Sequence, residues 1–82
     1  MNNSEKYDAA FMETFMLEAR DLSELKYQDA TMWDSVGHMQ LMAALEDSFG
    51  IEMDIDDIIE FSSYEVGKVI ISKYNIKIDP VA

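Results

Sequence analysis

Residues 1 to 82 make one domain, expected to be ordered from about 5 to 75 with a tail at 76 to 82, and 49% hydrophobic content allows a modest core. A net charge of −11 repels phosphate backbones and anionic lipids, which argues against nucleic-acid and membrane partners and for basic protein partners. With no cysteine, a disulfide framework, a thiolate metal site and a cysteine nucleophile are excluded, and any thiol chemistry has to be imported.

The first apolar period predicts an amphipathic helix from about Ser4 to Ala19, because Tyr7, Phe11, Phe15 and Ala19 recur at i, i+4 with Met12 and Met16 alongside. Ser4, Glu5 and Asp8 place polar and acidic groups at its start, where the helix dipole favours them. "RDLSELKYQDATMWD", residues 20–34, loses the period and predicts a long loop, with at most a short helical turn around Ser23 to Tyr27. Leu22, Leu25, Met32 and Trp33 are expected to pin it to the core, since so long a loop rarely stands free in a small domain.

A second helix is predicted from Val36 to about Phe49, with Met39, Met42, Leu45 and Phe49 as its buried stripe, Leu41 widening it and Gly50 as the C-cap. "EMDIDDIIEF" predicts a connector and a short helix capped by Asp54, with Asp56 and Asp57 at its positive end and Ile58, Ile59 and Phe61 making apolar contacts. "SSYE" predicts a capping box for the last helix, in which Ser62 accepts from the Glu65 amide and Glu65 reaches back. Val66, Val69, Ile70, the stem of Lys73 and Tyr74 form its expected buried side, and "NIKIDPVA" is expected as an extended or frayed tail, with Pro80 blocking further helix. The expected fold class is all-α: a small four-helix bundle of three main helices and one short helix, with a long first loop.

No apolar run approaches the roughly 20 residues of a membrane span, and the N-terminal stretch lacks the basic and apolar regions of a signal peptide. A soluble cytoplasmic protein is expected. No Lys or Arg lies between Tyr27 and Gly67, whereas Asp29, Asp34, Glu46, Asp47, Glu52, Asp54, Asp56, Asp57, Glu60 and Glu65 do. So long a span without a cation points beyond solubility to basic partners.

Candidate chemistry is sparse. His38, three residues after Ser35, invites a serine-nucleophile reading, yet no acid or oxyanion loop converges on the pair. A partly buried imidazole, hydrogen-bonded at the core edge, is the expectation for His38. Asp54, Asp56 and Asp57 suggest a calcium loop, with Glu65 twelfth from Asp54, but Ile58 and Ile59 stand where an oxygen ligand and a turn-forming glycine belong. Ser35 is left at the mouth of the second helix. A serine there is ordinarily an N-cap, worth about 1 kcal/mol, but a phosphate ester on it would also lie beside unsatisfied amides and the positive dipole end. Asp34 does not improve such a phosphate site and points instead to recognition by a basic partner.

"WDSVGHMQLMAALEDSFGIEMDIDDIIEFSSYEVGKVI", residues 33–70, resembles the core of the acyl carrier protein family, from the modification motif "DS[L/V/M]" through the second and short third helices into the fourth. With the first helix and loop, the resemblance extends over most of the chain. It implies that Ser35 receives 4′-phosphopantetheine from coenzyme A, put on by a phosphopantetheinyl transferase, and that the arm's thiol holds an acyl group as a thioester. The chain would then be a monomeric carrier, not an enzyme, served by acyl-activating, acyltransferase or ketosynthase-type enzymes with basic docking surfaces. The resemblance further implies a recognition face of Asp34, Val36, Met39, Gln40, Met42, Ala43, Glu46, Asp47, Asp54, Asp56 and Asp57, and an acyl pocket among His38, Leu41, Leu45, Ile58, Ile59 and Tyr64.

Departures from the family pattern narrow the expectation. Val36 stands where fatty-acid carriers usually have Leu, Gly37 and Gln40 where they have acids, and Asp54 where they often have Pro. A specialised discrete carrier for a fatty-acid-like, polyketide or other acyl-transfer pathway is implied. A D-alanyl or peptidyl carrier is the alternative within the modified class, and an unmodified acidic helical adaptor the alternative outside it.

Overall fold

Tyr7, Phe11 and Phe15 lie one above another on a helical face, and in the computed structural model of the chain that face is fully buried. The structure describes residues 2–27 and 33–78. Its elements in order are α1 (Asn3–Phe15), a 3₁₀ turn (Ala19–Asp21), α2 (Ser35–Phe49), α3 (Ile55–Glu60) and α4 (Tyr64–Ser72). The described residues form a small all-α fold with one isolated antiparallel bridge, Lys26 to Ser63. Among them no helix is long and apolar enough to cross a membrane. Asp29, Met32 and Pro80 lie outside the described residues.

α1 starts and stops earlier than the period suggests. Asn2, not Ser4, is its cap: the Asn2 side chain accepts from the Glu5 amide at 2.8 Å while Glu5 accepts from the Asn2 amide at 3.0 Å. The helix ends at Phe15 because Met16 turns left-handed, φ 55°, and the Leu17 amide folds back to the Met12 carbonyl at 3.1 Å. Gly50 ends α2 with the same turn, φ 63°, and the Ile51 amide on the Glu46 carbonyl at 3.1 Å. Met16 occupies a glycine-type position with 86% of its surface exposed. Met16→Gly should therefore stabilise the protein by about 0.5–1 kcal/mol, read as a higher urea midpoint at unchanged slope.

The loop after α1 is short of helix but not loose. Its helical turn falls at Ala19–Asp21 rather than Ser23 to Tyr27, and Leu22, Leu25 and Trp33 are buried. The Tyr27 amide donates to the Ser62 carbonyl and the Tyr64 amide to the Leu25 carbonyl, both at 2.9 Å. This pairing brackets Ser63, which is extended at φ −162° and ψ 167° and is the α4 cap, accepting from the Val66 amide at 3.0 Å. The cap expected at Ser62 is thus displaced by one residue, and the reciprocal bond of a capping box is lost, because the third residue of the helix is then Val66 rather than Glu65.

The buried side of α4 is Tyr64, Gly67, Ile70 and Ile71, whereas Val66 and Val69 are 41% and 66% exposed. Gly67 lets the helix press onto Phe61 and Tyr7, whose hydroxyl donates to the Tyr64 carbonyl at 2.6 Å. Burial pushes the Tyr7 hydroxyl far above the usual tyrosine range, so it remains a donor. Past α4 the chain still packs: Ile76 and Ile78 rest against the core, and the Asn3 side chain donates to the Lys77 carbonyl at 3.1 Å. The first residues of the expected tail, 76–78, are thus non-helical and lie on the core.

Candidate functional site

Asp34, rather than Ser35, caps α2. Its backbone is extended, its Oδ1 accepts from the Gly37 amide at 2.9 Å, and its carbonyl accepts from the His38 amide at 2.7 Å. Ser35 becomes the first helical residue, and its exposed hydroxyl is released from capping. That hydroxyl lies 3.3 Å from the Tyr27 hydroxyl. Asp34 therefore has a structural duty besides any role toward a partner.

Between the first turn of α2 and the last turn of α3 opens a cavity of about 390 Å³, lined by Tyr27, Ser35, His38, Met39, Ile58, Ile59, Phe61 and Ser62. Three of the predicted pocket residues, His38, Ile58 and Ile59, line it. Leu41, Leu45 and Tyr64 do not: all three belong to the core, the leucines fully buried and the Tyr64 ring 5.3 Å from both Tyr7 and Phe11. The reason is helical phase, since the α2 face that carries Leu41 and Leu45 is the one turned to the core that α1 shares. Tyr27, Met39, Phe61 and Ser62 complete the wall. Of these, Tyr27 carried no sequence signal, because it arrives from the aperiodic loop and is placed by its bond to Ser62.

His38 sits half-buried beneath this cavity. Its Nδ1 accepts from Trp33 Nε1 at 2.9 Å, which puts the ring proton on Nε2, where it donates to the Ile58 carbonyl at 2.7 Å. The imidazole ties α2 to α3. With both nitrogens spent on these bonds, His38 is not placed to take a proton from Ser35, and the arrangement does not make a serine nucleophile.

The predicted recognition face divides in two. Val36 and Met39 are 67% and 55% exposed, and Asp34, Gln40, Ala43, Asp47, Asp54 and Asp56 are exposed with them. Met39 thus leaves the buried stripe expected of α2, and Met42, 1% exposed, is core and unreachable by a partner. Glu46 is half-buried and accepts from the Met53 amide at 2.8 Å, which holds the chain between α2 and α3. Ile55, 74% exposed, stands among these acids and extends the apolar part of the face. Asp54 occupies the α3 cap position without a side-chain cap bond, and its amide donates to the Tyr74 hydroxyl at 2.9 Å.

Asp57 is 5% exposed and turned inward, where its two oxygens accept from Lys73 and from the Tyr74 hydroxyl, each at 2.5 Å. It clamps α3 to the end of α4 and is withdrawn from the exposed face. The Lys73 hydrogen bond, then that of Tyr74, holds the Asp57 carboxyl below its usual 3.8, and the same bond to Asp57 raises Lys73 above 10.5. A depressed carboxyl contributes stability that is complete above pH 3.8 and lost as pH falls through the lowered value. A raised amine contributes stability that is complete below pH 10.5 and lost as pH rises through the raised value. Asp57→Asn should therefore lower the melting temperature between these limits and lose less than the wild type on further acidification; salt should soften the effect, because Lys73 is half exposed.

Compared with protein-family models, with curated proteins and with solved structures, the chain matches none of them.

Proposed function

We propose that this protein is an acyl carrier, with Ser35 as the attachment point of a 4′-phosphopantetheine arm. The observation that carries the reading is the release of Ser35 from capping: its hydroxyl is exposed at the first turn of α2 and lies on the rim of an apolar-walled cavity. An anionic ester there lies at the positive end of a helix fifteen residues long, where charge is favourable. The residues fit such a group on the serine side, because nothing in the capping of α2 is given up when Ser35 is esterified.

In the attachment step Ser35 Oγ attacks the β-phosphorus of coenzyme A. The Oγ–P bond forms, the pyrophosphate P–O bond breaks, adenosine 3′,5′-bisphosphate leaves, and the serine proton passes to a base of the transferase. The arm supplies the thiol that this cysteine-free chain lacks, on which an acyl group is carried as a thioester. The chain's own work is to present Ser35 amid Val36, Met39, Asp47 and Asp56, an exposed mixture of apolar and acidic groups suited to transferase and acyl-handling enzymes with basic docking surfaces. Association of this kind is steered by charge and weakens with salt. The departures at Val36, Gly37, Gln40 and Asp54 favour a dedicated acyl-transfer pathway over housekeeping fatty-acid synthesis.

Incubation with coenzyme A and a promiscuous phosphopantetheinyl transferase should add the mass of one phosphopantetheine, and Ser35→Ala should abolish the addition while leaving Asp34 to cap α2. Wild-type protein that gains no mass would sink the carrier reading and leave an unmodified acidic adaptor. Charging with acyl-activating against amino-acid-activating enzymes separates an acyl carrier from a D-alanyl or peptidyl one.

A further inference from the structure

We infer that Tyr27 is a positioning residue for Ser35: its hydroxyl orients the serine hydroxyl for modification and afterwards donates to a phosphodiester oxygen, turning the arm toward the cavity both residues line. The inference rests on the carrier reading and adds to it a residue from the first loop, ahead of residues 33–70.

Tyr27 is held from three sides. Its amide is bonded to the Ser62 carbonyl at 2.9 Å, and its ring stands edge-on to His38 at 5.2 Å and 71° and to Trp33 at 6.4 Å and 88°. His38 in turn is fixed by Trp33 and the Ile58 carbonyl, so the phenol is aimed by groups that cannot easily turn. A serine hydroxyl on an exposed first turn has three staggered wells open to it, and one fixed partner selects among them.

The contact at 3.3 Å is long for two hydroxyls, which prefer about 2.7–2.8 Å. A negatively charged phosphodiester oxygen is a stronger acceptor than a serine oxygen and draws a phenol closer. The Asp34 carboxylate beside Ser35 makes such a donor useful, because the cap itself brings negative charge to the place where the ester must sit. Tyr27 also lines the cavity and Ser35 stands on its rim, so a phosphate held between them starts the arm on the cavity side rather than into solvent.

Tyr27→Phe keeps the ring and removes only the donor. With coenzyme A and a promiscuous phosphopantetheinyl transferase, it should lower kcat/KM for modification roughly three- to tenfold, the effect of one ordinary hydrogen bond, at unchanged melting temperature. The phosphorus-31 resonance of the modified variant should move and sharpen relative to modified wild type, a readout that a purely structural role would leave alone. Equal rates and identical phosphorus signals in the two proteins overturn the role of Tyr27 while the carrier reading stands. Wild-type protein that is never modified overturns both. Should the variant not fold, modified wild type decides: nuclear Overhauser contacts between the first methylene of the arm and the Tyr27 ring support the inference, and their absence overturns it.

Discussion

Gly67→Ala is expected to lose about 3 kcal/mol of stability or more, enough to unfold much of a domain whose total is on the order of 5–15 kcal/mol. A Cβ at Gly67 would stand 2.2 Å from Phe61 Cζ and 2.2 Å from the Tyr7 hydroxyl oxygen. Neither neighbour can withdraw, since Phe61 is 1% exposed and Tyr7 is fully buried with its hydroxyl held by the Tyr64 carbonyl at 2.6 Å. Alanine is the better helix former by about 1 kcal/mol, but that gain is the smaller quantity here. Urea unfolding followed by circular dichroism measures the difference. Val69→Ala, two residues on and on the exposed side, serves as the control and should change stability by less than about 0.5 kcal/mol. A Gly67→Ala protein as stable as the wild type would mean that α4 does not rest on Tyr7 and Phe61.

Trp33→Ala should cost about 3–5 kcal/mol, the range for emptying a fully buried aromatic site. The indole is packed edge-on to Phe11 at 5.5 Å, tilted on Phe15 at 5.5 Å and stacked on His38 at 6.1 Å, so its loss opens the core and removes the support behind the His38 wall of the cavity. Because Trp33 is the single tryptophan, the transition has to be followed by circular dichroism and not by fluorescence. Trp33→Phe separates the two contributions by keeping most of the apolar bulk while removing the donor to His38 Nδ1. It should cost about 1–2 kcal/mol and release the imidazole from its single tautomer, seen as averaging of the His38 ring nitrogen-15 shifts. Unaveraged shifts in Trp33→Phe would show that the Ile58 carbonyl alone holds the ring.

The first helix was readable because Tyr7, Phe11 and Phe15 form a clean i, i+4 series, and the end of α2 because Gly50 suits a left-handed cap. The caps themselves were legible only to within a residue. Asp34 with Ser35, and Ser62 with Ser63, are pairs of competent cap residues, and local chemistry does not choose between members of such a pair. The bond from the Tyr64 amide to the Leu25 carbonyl makes the second choice, across nearly forty residues of chain. Faces were harder still in helices that are apolar almost all round. Val66 and Val69 against Ile70 and Ile71, or Met39 against Leu41, differ in burial but not in hydrophobic character. Gly67 gave no apolar signal at all, although it is where α4 rests on Phe61 and on Tyr7 of α1 with no room for a side chain.

The amino-acid sequence by itself determined the helical class, the acidic character, the absence of any encoded thiol and the serine at the entrance to α2, because these follow from composition and short-range periodicity. Only the tertiary structure decided that Ser35 is released from capping while Asp34 does that work, that Asp57 is spent on Lys73 and Tyr74, and that the Tyr27 hydroxyl meets the serine hydroxyl. Each of these depends on the direction of one side chain relative to groups a helical turn or half the chain away, and direction is settled by packing rather than by residue type.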